Sequence, residues 1–217
     1  MTQCHRHRIL DRGGTTTFGQ SYFSACALRS QPVRADVVGP ELEMKAVLCV
    51  DVDRLKRDED WDPVLAALRH DSTLKGARFM SSGVNRGQSR HTKASCSHQH
   101  KERTARQQPL SAIHISPRVQ LLFANTLKDF LTANQRVCQI EIAGIHLQSK
   151  HLQLLAKGLV HNKSLQYLSL ARTKIVIDED VAALIPSLKS SRTLVHLNLA
   201  DCNLTPHGAD MISGLLK

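Results

Sequence analysis

Residues 194–204 read LVHLNLADCNL, and the same wording stands twice upstream. Residues 165–175 read LQYLSLARTKI, and residues 137–147 read VCQIEIAGIHL. Aliphatic side chains hold the first, fourth, sixth and eleventh places of all three stretches, whose starts lie 28 and 29 residues apart. The alternation at the fourth to sixth places predicts a short strand with one apolar face. A fixed period of this size predicts one strand-and-helix unit per repeat, with neighbours stacking to bury a core that no single unit could bury alone.

The period and the pattern LxxLxLxx(N/C/T)xL are those of the leucine-rich repeat. Of the chain's 29 leucines, 16 fall in residues 137–217, consistent with a leucine-dominated array. The register extends backwards through Leu48, Val50, Asp53 and Leu55, and through Leu74, Ala77 and Phe79. Strands are expected around 48–50, 77–79, 140–142, 168–170 and 197–199, parallel and in sequence order. Helix signals fill the gaps. Asp62-Pro63, Ser116-Pro117 and Thr205-Pro206 each pair a capping residue with proline at a first helical position. Leu152, Leu155, Ala156 and Leu159 recur at helical spacing after Ser149. Helices are expected over about 63–69, 117–132, 150–161, 179–189 and 206–216. Pro186 is expected to kink or shorten its helix. The fold class is thus an α/β solenoid of the ribonuclease-inhibitor type, a curved parallel sheet with helices on the convex side.

The 217 residues suffice for one domain or a short array. The net charge is +10, and residues 80–136 alone supply +7, with nine basic residues against two acidic. A basic excess confined to one segment argues against a nucleic-acid-binding fold. The six cysteines, at 4, 26, 49, 96, 138 and 202, form no CxxC pair and read as free thiols. No amphipathic helix accompanies Arg6, Arg8 and Arg12 as a presequence would require. No uncharged apolar run reaches the ~20 residues of a membrane span.

Residues 1–17 form an expected disordered tail, 18–79 an N-terminal cap with the first repeats, 80–109 an expected disordered basic loop, and 110–217 the remaining repeats. The loop lacks large aliphatics and cannot offset its chain entropy by burial. Cys96, His98, His100 and nearby His91 match no zinc-module spacing, so no metal or cofactor is assigned. Arg86, Arg90, Lys93, Lys101, Arg103 and Arg106 lack the interleaved aromatics that stack on bases, so nucleic acid is not the expected partner. The acidic run Asp51, Asp53, Asp58, Glu59, Asp60 and Asp62 lacks EF-hand spacing. It reads as one repeat slot followed by a helix N-terminus. Phosphate-loop, dinucleotide, nucleophile-elbow and zinc-protease motifs are all missing, and no catalytic residue is assigned. Thr173 and Cys202 occupy the slot whose side chain turns inward to bond the backbone, a structural role. What remains is the concave face, where Gln139, Glu141, Tyr167, Ser169, His196 and Asn198 are the expected partner-binding residues.

The strings Leu155-Ala-Lys-Gly-Leu159, Leu168-Ser-Leu-Ala171, Ser190-Ser-Arg-Thr-Leu194 and Cys202-Asn-Leu-Thr205 resemble the repeats of the centrosomal protein of 78 kDa family. Upstream, Cys26-Ala-Leu28, Asp53-Arg-Leu55 and Trp61-Asp-Pro63 follow in the matching order, so the resemblance covers about 18–79 and 110–217. It implies a non-enzymatic scaffold of the centrosome, the centriole and the basal body of the cilium. It also implies a role in cilium assembly, centrosomal and ciliary protein partners, and a link to the substrate receptor of a cullin-type ubiquitin ligase. The family continues into a coiled coil, and this chain reads as its N-terminal part only. Two other readings are a cytosolic leucine-rich-repeat ubiquitin-ligase adaptor and a metal- or nucleic-acid-binding protein acting through 80–109.

Overall fold

A computed structural model describes residues 16–81, 115–173 and 178–215. Two helices open it, α1 (Phe18–Leu28) and α2 (Pro40–Lys45). Strands and helices then alternate as β1 (Val47–Asp51), α3 (Asp58–Leu68), β2 (Gly76–Met80), α4 (Pro117–Ala133) and β3 (Gln139–Ala143). The last elements are α5 (Ser149–His161), β4 (Tyr167–Ser169), α6 (Asp178–Ser190), β5 (His196–Asn198) and α7 (Pro206–Ser213). The five strands form one parallel sheet in sequence order, as the repeat pattern predicts.

The row Leu48, Ala77, Ile140, Leu168 and Leu197 runs in register across the sheet. Its first four members are fully buried, whereas Leu197, on the edge strand, is half-buried. Consecutive helices stack on one side of the sheet, with α1 packing on α3. Phe18 and Tyr22 of α1 are buried there, so this helix closes the first end of the core. Deeper in, Phe123 of α4 packs edge-on against Trp61 and Phe79, with ring centroids 5.7 and 4.9 Å apart.

Asn134 and Asn162 join the repeats by their side chains. Asn162 Oδ1 accepts from the Ser164 and Leu165 amides at 3.0 and 2.8 Å. Its Nδ2 donates to the Leu131 and Asn134 carbonyls of the preceding repeat, both at 2.8 Å. Asn134 repeats the pattern, accepting from Val137 N at 2.9 Å and donating to Leu74 O at 2.9 Å. Asp71 holds the same place before β2 and accepts from the Thr73 and Leu74 amides, each at 2.8 Å. Burial pushes its carboxyl up, against the pull of those amides. Ser191 ends the series with one bond, accepting from Leu194 N at 3.2 Å.

Several expectations are corrected. Asp62-Pro63 does not start a helix. α3 begins at Asp58, with Arg57 at its cap, and Pro63 sits inside it. The acidic side chains of Asp58, Glu59 and Asp60 favour the earlier start, because they meet the partial positive charge of the first turn. Ser149 is the first helical residue, not the cap. The cap is Gln148, whose amide donates to His151 Nδ1 at 3.1 Å. Pro186 lies within α6 without shortening it, since α5 and α6 both run 13 residues. Thr17 caps α1 and Met80 closes β2, although the sequence placed them in the tail and the loop. The remaining tail and loop residues, 1–15 and 82–109, lie outside the described residues. Ser116 and Thr205 cap their helices as predicted, accepting from Val119 N and Gly208 N at 3.2 and 2.9 Å.

Candidate partner-binding face

Side chains alternate across a strand, so residues between the buried positions line the concave surface. The register gathers them into two rows. One holds Val47, Gly76, Gln139, Tyr167 and His196, and the other Cys49, Arg78, Glu141, Ser169 and Asn198. All six residues singled out from the sequence therefore fall on this face, on three adjacent strands. Tyr167 and His196 have ring centroids 6.3 Å apart and tilted planes. His196 is exposed, and Gln139, Glu141, Tyr167 and Asn198 are half-exposed.

Ser169 departs from the expectation. It is fully buried, and among the described residues its Oγ finds no partner. The short side chain lies in register between the longer Glu141 and Asn198. Its hydroxyl sits beneath the surface of the face.

The face also has a charged end that sequence reasoning missed. Arg78 lies 3.5 Å from Glu41 through Nη1 and 3.5 Å from Glu141 through Nε. With its oxygen turned toward Arg78, the Gln139 amide accepts from Nη2 at 3.0 Å and from Nε at 3.2 Å. Cys49 Sγ donates to Glu41 Oε2 at 3.2 Å. Burial, reinforced by the Glu41 carboxylate, pushes the Cys49 thiol up to about 11, and the thiol bond and Lys45 pull Glu41 down. The signal was present in the chain. Cys49 stands between Leu48 and Val50, and Arg78 between Ala77 and Phe79, so both had to face opposite to the core.

The remaining candidates find structural places. Thr173 is buried and donates to Leu170 O at 2.5 Å, and Cys202 Sγ donates to the same carbonyl at 3.0 Å. Burial pushes the Cys202 thiol up, away from a nucleophile. Asp62 pairs with Arg118 at 3.2 Å, and Asp53 accepts from Ser81 Oγ at 3.0 Å. Among the described residues no His, Cys, Asp and Glu side chains converge as a metal site would require. Nor is any described helix long and apolar enough to cross a membrane. Cys96, His98, His100 and the loop cations lie outside the described residues.

Comparison with known proteins places this geometry. A family model described as Leucine Rich repeat matches residues 190–213. Centrosomal protein of 78 kDa from Homo sapiens is 36% identical over 99 residues, covering 46% of this chain and 14% of that protein. Its counterpart from Mus musculus is 29% identical over 178 residues, covering 79% of this chain and 21% of that protein. The chain thus matches about a seventh of the length of the human relative and about a fifth of that of the mouse relative. The resemblance to this centrosomal family read from residues 155–171 and 190–210 holds. The solved tropomodulin C-terminal domain of Caenorhabditis elegans matches with a TM-score of 0.52 at 8% identity, covering 78% of this chain and 81% of that one. That likeness bears out the leucine-rich-repeat fold and nothing further.

Proposed function

We propose that the chain is a non-enzymatic leucine-rich-repeat scaffold unit of the centrosome, the centriole and the ciliary base, and that it holds a protein partner on its concave face in support of cilium assembly. The observation that carries this reading is the pair of concave rows. They set a tilted Tyr167–His196 pair beside a charged cluster centred on Arg78, on a rigid sheet. An aromatic anchor next to oriented polar groups is the composition of a protein-recognition patch. The centrosomal names of the human and mouse relatives support the location.

The test combines imaging with binding. Tagged protein is expected to coincide with a centriole marker. The double variant Tyr167→Ala, Glu141→Arg should lose the partner in co-precipitation from ciliated cells while circular dichroism stays unchanged. Neither side chain belongs to the buried core. Retained binding in that variant, with loss after Arg90 and Arg103 are replaced, would move recognition to the basic loop.

A further inference from the structure

We infer a second docking site, separate from the concave face. It is an apolar cleft at the N-terminal cap that takes a peptide carrying a large apolar side chain next to a carboxylate. The cleft encloses about 390 Å³ between α1, α2 and the turns that lead into β1, β2 and β3. Phe18, Phe23, Val38 and Leu42 supply its apolar wall, and Lys75 and Arg136 stand at the strand side. Phe23 is 49% exposed, so a large aromatic meets solvent at the cleft. A Cβ added at Gly19, which also lines the cleft, would meet nothing within 4 Å, so no described group crowds that part of the wall.

Charge selects the occupant. Lys75 and Arg136 are both exposed, and among the described residues neither forms an ion pair. Their backbones are fixed. Lys75 N donates to Ala46 O at 2.8 Å, and Arg136 N donates to Asn134 Oδ1 at 2.7 Å. Two cations held on one side of an apolar wall favour a ligand that is apolar at one end and anionic at the other. Glu43, also lining the cleft, disfavours a second anion on the α2 side and so sets the ligand's direction. A volume of about 390 Å³ holds one large side chain of an extended peptide, whereas a long acyl chain needs an enclosing tunnel.

The probe is the peptide acetyl-GEFLG-amide, titrated into ¹⁵N-labelled full chain up to about 5 mM, the affinity range of a single-pocket contact. Amide resonances of Phe18–Phe23, Ala46 and Lys75 should shift together. The peptides GKFLG and GEAAG should leave them unmoved. Lys75→Glu with Arg136→Glu should weaken binding at least about tenfold, and Phe23→Ser should abolish it, both with retained spectral dispersion. The concave-face variant Tyr167→Ala, Glu141→Arg should bind the peptide as the parent does, so the two sites fail independently. No shift at these amides, equal binding of GKFLG, or full affinity after charge reversal overturns the proposal. Decanoate shifting the same amides at lower concentration than the peptide would assign the cleft to a lipid chain and overturn it too.

Discussion

Gln31 Nε2 donates to the carbonyl of Glu59 at 3.0 Å, across 28 residues of chain. Glu59 is the residue four places before Pro63, whose ring carries no N–H to close that helical bond. The linker after α1 thus supplies the donor that the proline removes from α3. Gln31→Ala should lower stability by about 0.5–1.5 kcal/mol. In a Pro63→Ala background, where the helix can satisfy Glu59 itself, the same change should cost less. Chemical denaturation of the four proteins gives the coupling, and purely additive costs would mean the bond is idle.

The asparagine series stops at Ser191, beside an open cleft of about 400 Å³ lined by Val160, Asn162 and Lys163. A serine hydroxyl accepts from Leu194 N but is too short to reach the preceding repeat. Ser191→Asn should add the backward bonds that Asn162 makes, and raise stability by about 1–2 kcal/mol. Asn162→Ala should do the reverse more strongly, because it strands buried backbone groups. A lower melting temperature for Ser191→Asn would show that the turn cannot take the asparagine geometry.

Gly158 faces α4 at close range. A Cβ there would stand 3.0 Å from the Cα of Lys128 and 3.1 Å from the Cβ of Leu131. Alanine, which favours helices elsewhere, should here force α4 and α5 apart and cost about 1–3 kcal/mol. An increase in stability on Gly158→Ala would show that the two helices separate freely.

His151 is fully buried, and its Nδ1 accepts the Gln148 amide. Burial, with Lys150 and His146 nearby, pushes its pKa down. Between the lowered folded value and the ordinary value of about 6.5, the unfolded chain binds the extra proton, so stability falls as pH drops below about 6.5. His151→Gln keeps the acceptor for Gln148 and removes the titration. Its unfolding free energy should therefore vary less between pH 7 and 5 than that of the parent. Parallel pH curves would mean other groups carry the acid sensitivity.

Leu168 and Leu197 share a sheet row but not a burial. Leu168→Ala should cost about 2–5 kcal/mol, as transfer and cavity terms combine. Leu197→Ala should cost clearly less, since among the described residues β5 has a strand neighbour on one side only and Leu197 is half-buried. Equal losses in urea unfolding would place β5 in a better-buried setting.

The strands were legible because a period of 28 or 29 residues with aliphatics at fixed places admits one register, and a slip would expose every leucine. What stayed hidden was set by contacts distant in sequence. α1 and α2 carry no repeat pattern, and their packing depends on the first repeat. Asp62-Pro63 gave a false start because proline favours a first turn, yet the three acids before it and the donor from Gln31 make an earlier start better. Ser169 could be assigned to the correct face but not to its burial, which depends on the length of its neighbours. The Asn134 and Asn162 ladder was visible as asparagines 28 apart, each three residues before an aliphatic, and was passed over in favour of the strand pattern.

The pairing of β2 with β3 has a kinetic consequence. Gly76 meets Gln139, 63 residues later, whereas the other strand junctions close after 28 or 29. Loop-closure entropy grows with the logarithm of length, so this junction costs about 0.7 kcal/mol more to bring together than its neighbours. Folding should then nucleate within β3, α5 and β4, where contacts are local. The cap and first two repeats would dock late, and mutations there should speed unfolding rather than slow folding.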